Sequence, residues 1–226
     1  MDPNRKIWNE QQKELQQALV HMIDLQKTID LFMRHHAMVH SARMAETGEW
    51  SFEDEILNGL EEVALRRIPP KEDHSIAWIL WHLARIEDVT MNLLVAGSSQ
   101  VLSMGNWPTR LGTLSRDTGN AMDKADIVLL SDSINITELL GYRIAVGCRT
   151  RQIVKNLQPD DFAQQVDPKR LEKVRFEGAI QESTLWLVDY WGKKTIVGLL
   201  LMPPTRHNFV HLNEAARIKR KLQYRS

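Results

Sequence analysis

From about residue 8 to residue 44 the chain carries no proline or glycine, and Leu15, Leu19, Met22, Ile29, Met33, His36 and His40 recur close to one helical stripe. The spacing predicts one long helix whose apolar face turns to histidine near its C-terminal end, with Gly48 closing the segment. A shorter helix is expected from Phe52 to about Arg67, stopped by Pro69-Pro70. A third runs from about His74 to Ala96, with Asp73 as candidate N-cap. Its stripe is Trp78, Ile79, His82, Ile86, Val89 and Leu93, so His82 stands in the middle of an apolar face. Gly97-Ser98-Ser99 ends it.

Residues 98–120 are rich in Gly, Ser, Thr and Asn and read as a long loop, of the kind often used as a lid or binding loop. A short helix is expected over 121–130 and a long one from about Thr137 to Leu157. Residues 158–180 are charged and weakly patterned, an insertion relative to the helices around them. Ser183 could cap a helix through Trp191, and Thr195 to Met202 is a short apolar helical stretch. Pro203-Pro204 then preorganises the start of a final helix to about Gln223. Strand alternation and repeats of fixed period do not emerge, so the expectation is an all-α bundle forming a single domain over residues 1–226.

Composition narrows the partners. The 29 Lys and Arg balance 29 Asp and Glu, which argues against a broad electrostatic surface for nucleic acid. The basic residues Arg217, Lys219, Arg220, Lys221 and Arg225 at the C-terminus read as cations favouring a helix end. The single cysteine, Cys148, can form no intrachain disulfide, which suits a reducing cytoplasm, and lies among small apolar residues as a packing group. The N-terminus has no signal-peptide core, and the longest apolar run, Ile196 to Met202, is too short to span a bilayer.

The chemistry lies in the histidines. His207 and His211 are four residues apart, which on a helix places both imidazoles on one face, able to hold one divalent metal. If His82 faces them, three nitrogen ligands leave an open position, the arrangement of a catalytic metal site. Zinc is the default ion, with nickel and iron(II) also suited to nitrogen donors. Glu214, three residues after His211 and seven after His207, is the candidate carboxylate to orient an imidazole. Glu87 and Asp88 point elsewhere on the wheel and read as a solvated face or partners of Arg85. His36 and His40 are pocket or second-sphere candidates, with core packing as the plainer reading. Trp78 and Trp81 flank His82, and Trp186 and Trp191 precede the final helix; pocket walls and core packing both account for them. Arg206 is a surface or capping residue, or a contact for an anionic substrate.

His82 within Trp81-His82-Leu83-Ala84-Arg85, together with His207-x-x-x-His211 late in an all-helical chain, resembles the DinB/YfiT-like superfamily over roughly Glu14 to Leu222. The resemblance implies a four-helix bundle of up-down-down-up topology, here with extra short helices. It also implies a homodimer of bacterial type and a divalent metal on His82, His207 and His211. Some relatives are transferases or isomerases that use a low-molecular-weight thiol such as bacillithiol or mycothiol, so the implied partners are a small-molecule substrate and such a thiol, with no nucleic acid and no membrane. A noncatalytic metal- or ligand-binding bundle is the alternative. In the ergothioneine-type branch a carboxylate follows two residues after the second histidine; here that position is Asn213, with Glu214 one further.

Overall fold

The computed structural model describes residues 2–45, 48 and 50–223. Asp2 starts α1 (Pro3–His21) by accepting the Asn4 and Arg5 N–H groups, with Pro3 at a position where a proline costs no hydrogen bond. The expected single helix to residue 44 is broken: Met22 adopts a left-handed conformation (φ 43°, ψ 46°) and its N–H closes the turn on Ala18 O. Asp24 then caps α2 (Leu25–Ala37) by accepting Lys27 N–H. The break folds α1 back on α2, so Leu15 and Leu19 bury beside Ile29, Phe32 and Met33. α3 (Ala42–Ala45) follows.

The helix expected over 52–67 is two short ones, α4 (Phe52–Leu57) and α5 (Glu62–Arg66), separated at Gly59 (φ 73°). Ser75, not Asp73, caps α6 (Ile76–Asp88), its hydroxyl accepting Trp78 N–H. From Val89 to Ala96 the helix widens into a π-helical stretch, where Thr90 Oγ1 donates to Ile86 O at 2.7 Å. The whole of α6 is buried, because α9 and α13 pack on it from different sides. Its interior includes Arg85, whose Nη1 donates to Asp88 at 3.0 Å and to the Tyr142 hydroxyl at 2.7 Å. A buried charged pair of this kind tolerates its desolvation only because further hydrogen bonds, from Tyr142 Oη and the Val101 and Leu102 N–H groups to Asp88, complete it.

The loop expected over 98–120 holds a short α7 (Trp107–Leu111), and α8 (Lys124–Ser133) leads into α9 (Ile136–Asn156). Within the weakly patterned 158–180 stretch lies α10 (Pro168–Phe176); α11 (Trp186–Gly192) and α12 (Ile196–Leu200) follow. A second π-helical stretch, Met202–His207, feeds α13 (Asn208–Gln223). Among the described residues there is no strand, only one antiparallel bridge between Gln165 and Thr195. The fold is all-α, as the periodicity implied. None of its described helices is long and apolar enough to cross a membrane. The basic C-terminal residues are engaged locally: Arg217 and Lys221 pair with Glu72, and Lys219 donates to the Glu55 and Asn58 carbonyls. Arg225 lies outside the described residues.

Candidate metal centre

Three imidazoles meet where α6 faces the start of α13. His82 comes from the buried face of α6; His207 closes the 202–207 π stretch and His211 stands one turn on. His82 Nε2 lies 3.3 Å from His207 Nε2. The ring centroids are 5.1 Å (His82–His207), 5.0 Å (His82–His211) and 4.6 Å (His207–His211) apart. One nitrogen from each ring lies within 4.8 Å of the others, so the three residues could hold a metal ion.

The outer nitrogens fix the tautomers. His82 Nδ1 is 2.5 Å from Thr118 O, and a carbonyl can only accept, so Nδ1 carries the proton and Nε2 a lone pair. His211 Nδ1 lies 3.0 Å from Glu214 Oε2, which assigns its proton in the same way. Glu214 Oε1 in turn accepts from His74 Nδ1 at 2.8 Å. His74 stacks on Trp78 (4.0 Å, 7°), and Trp78 stacks on His82 (4.8 Å, 7°). Trp78 and Trp81 belong to one hydrophobic core and Trp191 to the other, with Trp78 also stacked on His82, while Trp186 is largely exposed. Gly119 holds the Thr118 carbonyl in place. Its φ is 81°, and a Cβ there would stand 2.6 Å from Trp81 Cζ3, so only glycine lets the loop lie this close to α6.

Burial, followed by the nearby His211, holds His82 neutral down to about 3. Burial also pushes His207 well below the ordinary histidine range, with His82 and His211 adding to the effect. Glu214 behaves oppositely. Burial disfavours its charge, but the hydrogen bonds from His211 and His74 outweigh that and bring it to about 2. Two imidazoles of the centre, His82 and His207, are thus held neutral, and His211 is oriented by an ionised carboxylate. His207 Nδ1 is buried without a hydrogen-bond partner among the described residues.

His36 and His40 do not touch these three rings. Their Nε2 atoms each lie 2.9 Å from a different oxygen of Glu87, and all three side chains are buried. They form a second group that could hold a metal. The sequence reading of Glu87 and Asp88 as a solvated face is corrected here: α6 is enclosed on every side, so residues that turn away from His82 still meet protein. Asp88 takes the expected Arg85 pair, and Glu87 takes the two histidines. Sequence reasoning also missed His74, whose signal was its spacing: His74, Trp78 and His82 recur every fourth residue. Asn213 donates to Phe209 O, and Arg206 to Asn9 at the surface. Cys148 Sγ donates to the Met44 carbonyl.

Residues 48–183 match the family described as the DinB superfamily. No curated protein matches the chain. The matched span contains His82, Glu87 and Thr118; His36, His40, His207, His211 and Glu214 lie outside it, so their place beside the matched region is known from the geometry.

Proposed function

The chain belongs to the DinB superfamily, and on that premise we propose that it is a metal-dependent enzyme whose divalent ion sits on His82, His207 and His211. The observation that carries this reading is the convergence of three imidazoles, two of them with the outer N–H already held by an oxygen acceptor. Two nitrogens each about 2.05 Å from one tetrahedral ion stand roughly 3.3 Å apart, and His82 Nε2 and His207 Nε2 are separated by that distance. The donor set suits zinc first, with nickel and iron(II) compatible.

The residues have distinct tasks in this reading. Glu214, itself anchored by His74, sets the ring of His211, and the Thr118 carbonyl sets that of His82. His82 is buried while the His211 side chain is 22% exposed, so a substrate approaches on the His211 side. Trp78 covers the opposite flank and keeps water from His82. A bound divalent ion supplies a means of deprotonating a thiol near neutral pH. The reaction class we assign is transfer of a low-molecular-weight thiol: the thiol gives up its proton, its sulfur forms a bond to the electrophilic carbon, and the bond from that carbon to its leaving group, a halide for a haloarene, breaks with release of the anion.

The test is turnover by zinc-loaded protein of a haloarene electrophile with glutathione, bacillithiol or mycothiol. Conjugation that disappears in His211→Ala supports the assignment. Full metal loading without turnover of any pair would make the same centre a noncatalytic binding site.

A further inference from the structure

The molecule encloses a second donor set that the three-histidine reading leaves unused. His36 and His40, one turn apart, close α2 and the turn after it, and Glu87 reaches them from α6. Side-chain exposure is 0% for His36 and Glu87 and 1% for His40. Asn208 Nδ2 also donates to Glu87 Oε2, at 3.0 Å. Two imidazoles and a carboxylate on two elements are a donor set that binds zinc and first-row divalent ions.

We propose that His36, His40 and Glu87 form a second, closed site for a divalent transition-metal ion, separate from the three-histidine centre and structural in role.

Charge supplies one argument. Arg143, whose guanidinium bonds Asn208 beside Glu87, is committed elsewhere: it donates to Glu53, to Val39 O at 2.8 Å and to Asn208 Oδ1 at 2.8 Å, but not to Glu87. The Glu87 carboxylate meets two imidazoles and the Asn208 amide but no lysine or arginine among the described residues, and a cation between the three side chains offsets the cost of burying it.

Geometry supplies another. His36 Nε2 and His40 Nε2 are each 2.9 Å from a Glu87 oxygen. Donors at right angles around an ion, each about 2.1 Å away, stand roughly 3.0 Å apart. Gly147 of α9 makes room for the set, since a Cβ there would lie 2.9 Å from His40 Nδ1. The site also meets the first centre through the backbone. Asn208 is the neighbour of His207, and its amide links Glu87 to the Pro203 carbonyl, so an ion here would pin the turn that presents His207.

The experiment is zinc stoichiometry after metal-free protein is loaded with zinc and freed of excess, on wild type, His211→Ala, and His211→Ala combined with Glu87→Gln. Circular dichroism checks that each is folded. The expected values are two ions per chain, one and none. One ion in wild type and none in folded His211→Ala overturns the second site and leaves the three-histidine centre standing. One ion in both supports the second site and contradicts the first. No zinc in wild type overturns both. The wild type and His211→Ala decide the question without disturbing the buried cluster, so a misfolded Glu87→Gln protein does not affect the outcome.

Discussion

His82 and His207, 125 residues apart in sequence, bring Nε2 to within 3.3 Å of Nε2. Two neutral imidazoles can face one another in this way only with a proton or a cation between them. Because Thr118 fixes the His82 proton on Nδ1, the His82 nitrogen is a lone pair. A proton donated by His207 would complete the contact but would leave its buried Nδ1 an unsatisfied acceptor, at a cost of about 1–3 kcal/mol. A cation satisfies both Nε2 atoms together.

Glu214 orients His211 and His74 at once. Glu214→Gln replaces an ionised acceptor by a neutral amide and should weaken zinc binding roughly 10- to 100-fold, with the fold retained. Competition titration against a chromophoric chelator measures this. Unchanged affinity would remove Glu214 from the centre.

Gly119 is the point where the loop meets α6. Gly119→Ala introduces a Cβ 2.6 Å from Trp81 Cζ3 at a φ of 81°. The expected loss of stability is about 1–3 kcal/mol, read from urea unfolding, with weaker zinc binding because Thr118 O moves. A fully stable variant with wild-type affinity would show that the loop position does not set the His82 ring.

Glu72 clamps the segment before α6 to α13 through Arg217 (3.0 and 2.8 Å) and Lys221 (2.5 Å). The hydrogen bond from Arg217, aided by Lys221, outweighs burial and lowers the carboxyl from its ordinary 4.5 to about 2. The native pKa is depressed, so the clamp's contribution is whole above pH 4.5 and is lost as pH falls toward 2. Glu72→Gln should therefore lower the melting temperature at pH 7, and the gap from wild type should narrow with acidification below pH 4.5. A gap independent of pH would assign the effect to packing.

The sequence carries the outline of the site because helical spacing reports which residues share a face. His82 in an apolar stripe and His207-x-x-x-His211 after a proline pair are local signals, and so is Glu214 one turn beyond. The break at Met22 left no such mark. Met22 and Ile23 are compatible with a continuing helix, and only packing of α1 back on α2 favours the turn; the single local cue was Asp24, a capping residue. Glu87 was obscured for a different reason. A helical wheel separates faces, but α6 is buried all round, so the face opposite His82 was no less interior. What Glu87 meets there depends on where α2 ends, which is tertiary information. The Thr118 contact likewise rests on a loop conformation that Gly119 permits but its sequence does not specify.

The most direct test is metal analysis of wild type purified without a metal-affinity step, beside His82→Ala and His207→Ala. Each variant should hold one equivalent fewer than wild type while remaining folded by circular dichroism. Metal content equal to wild type in both variants would contradict the account, and the three histidines would then be packing groups lining a pocket.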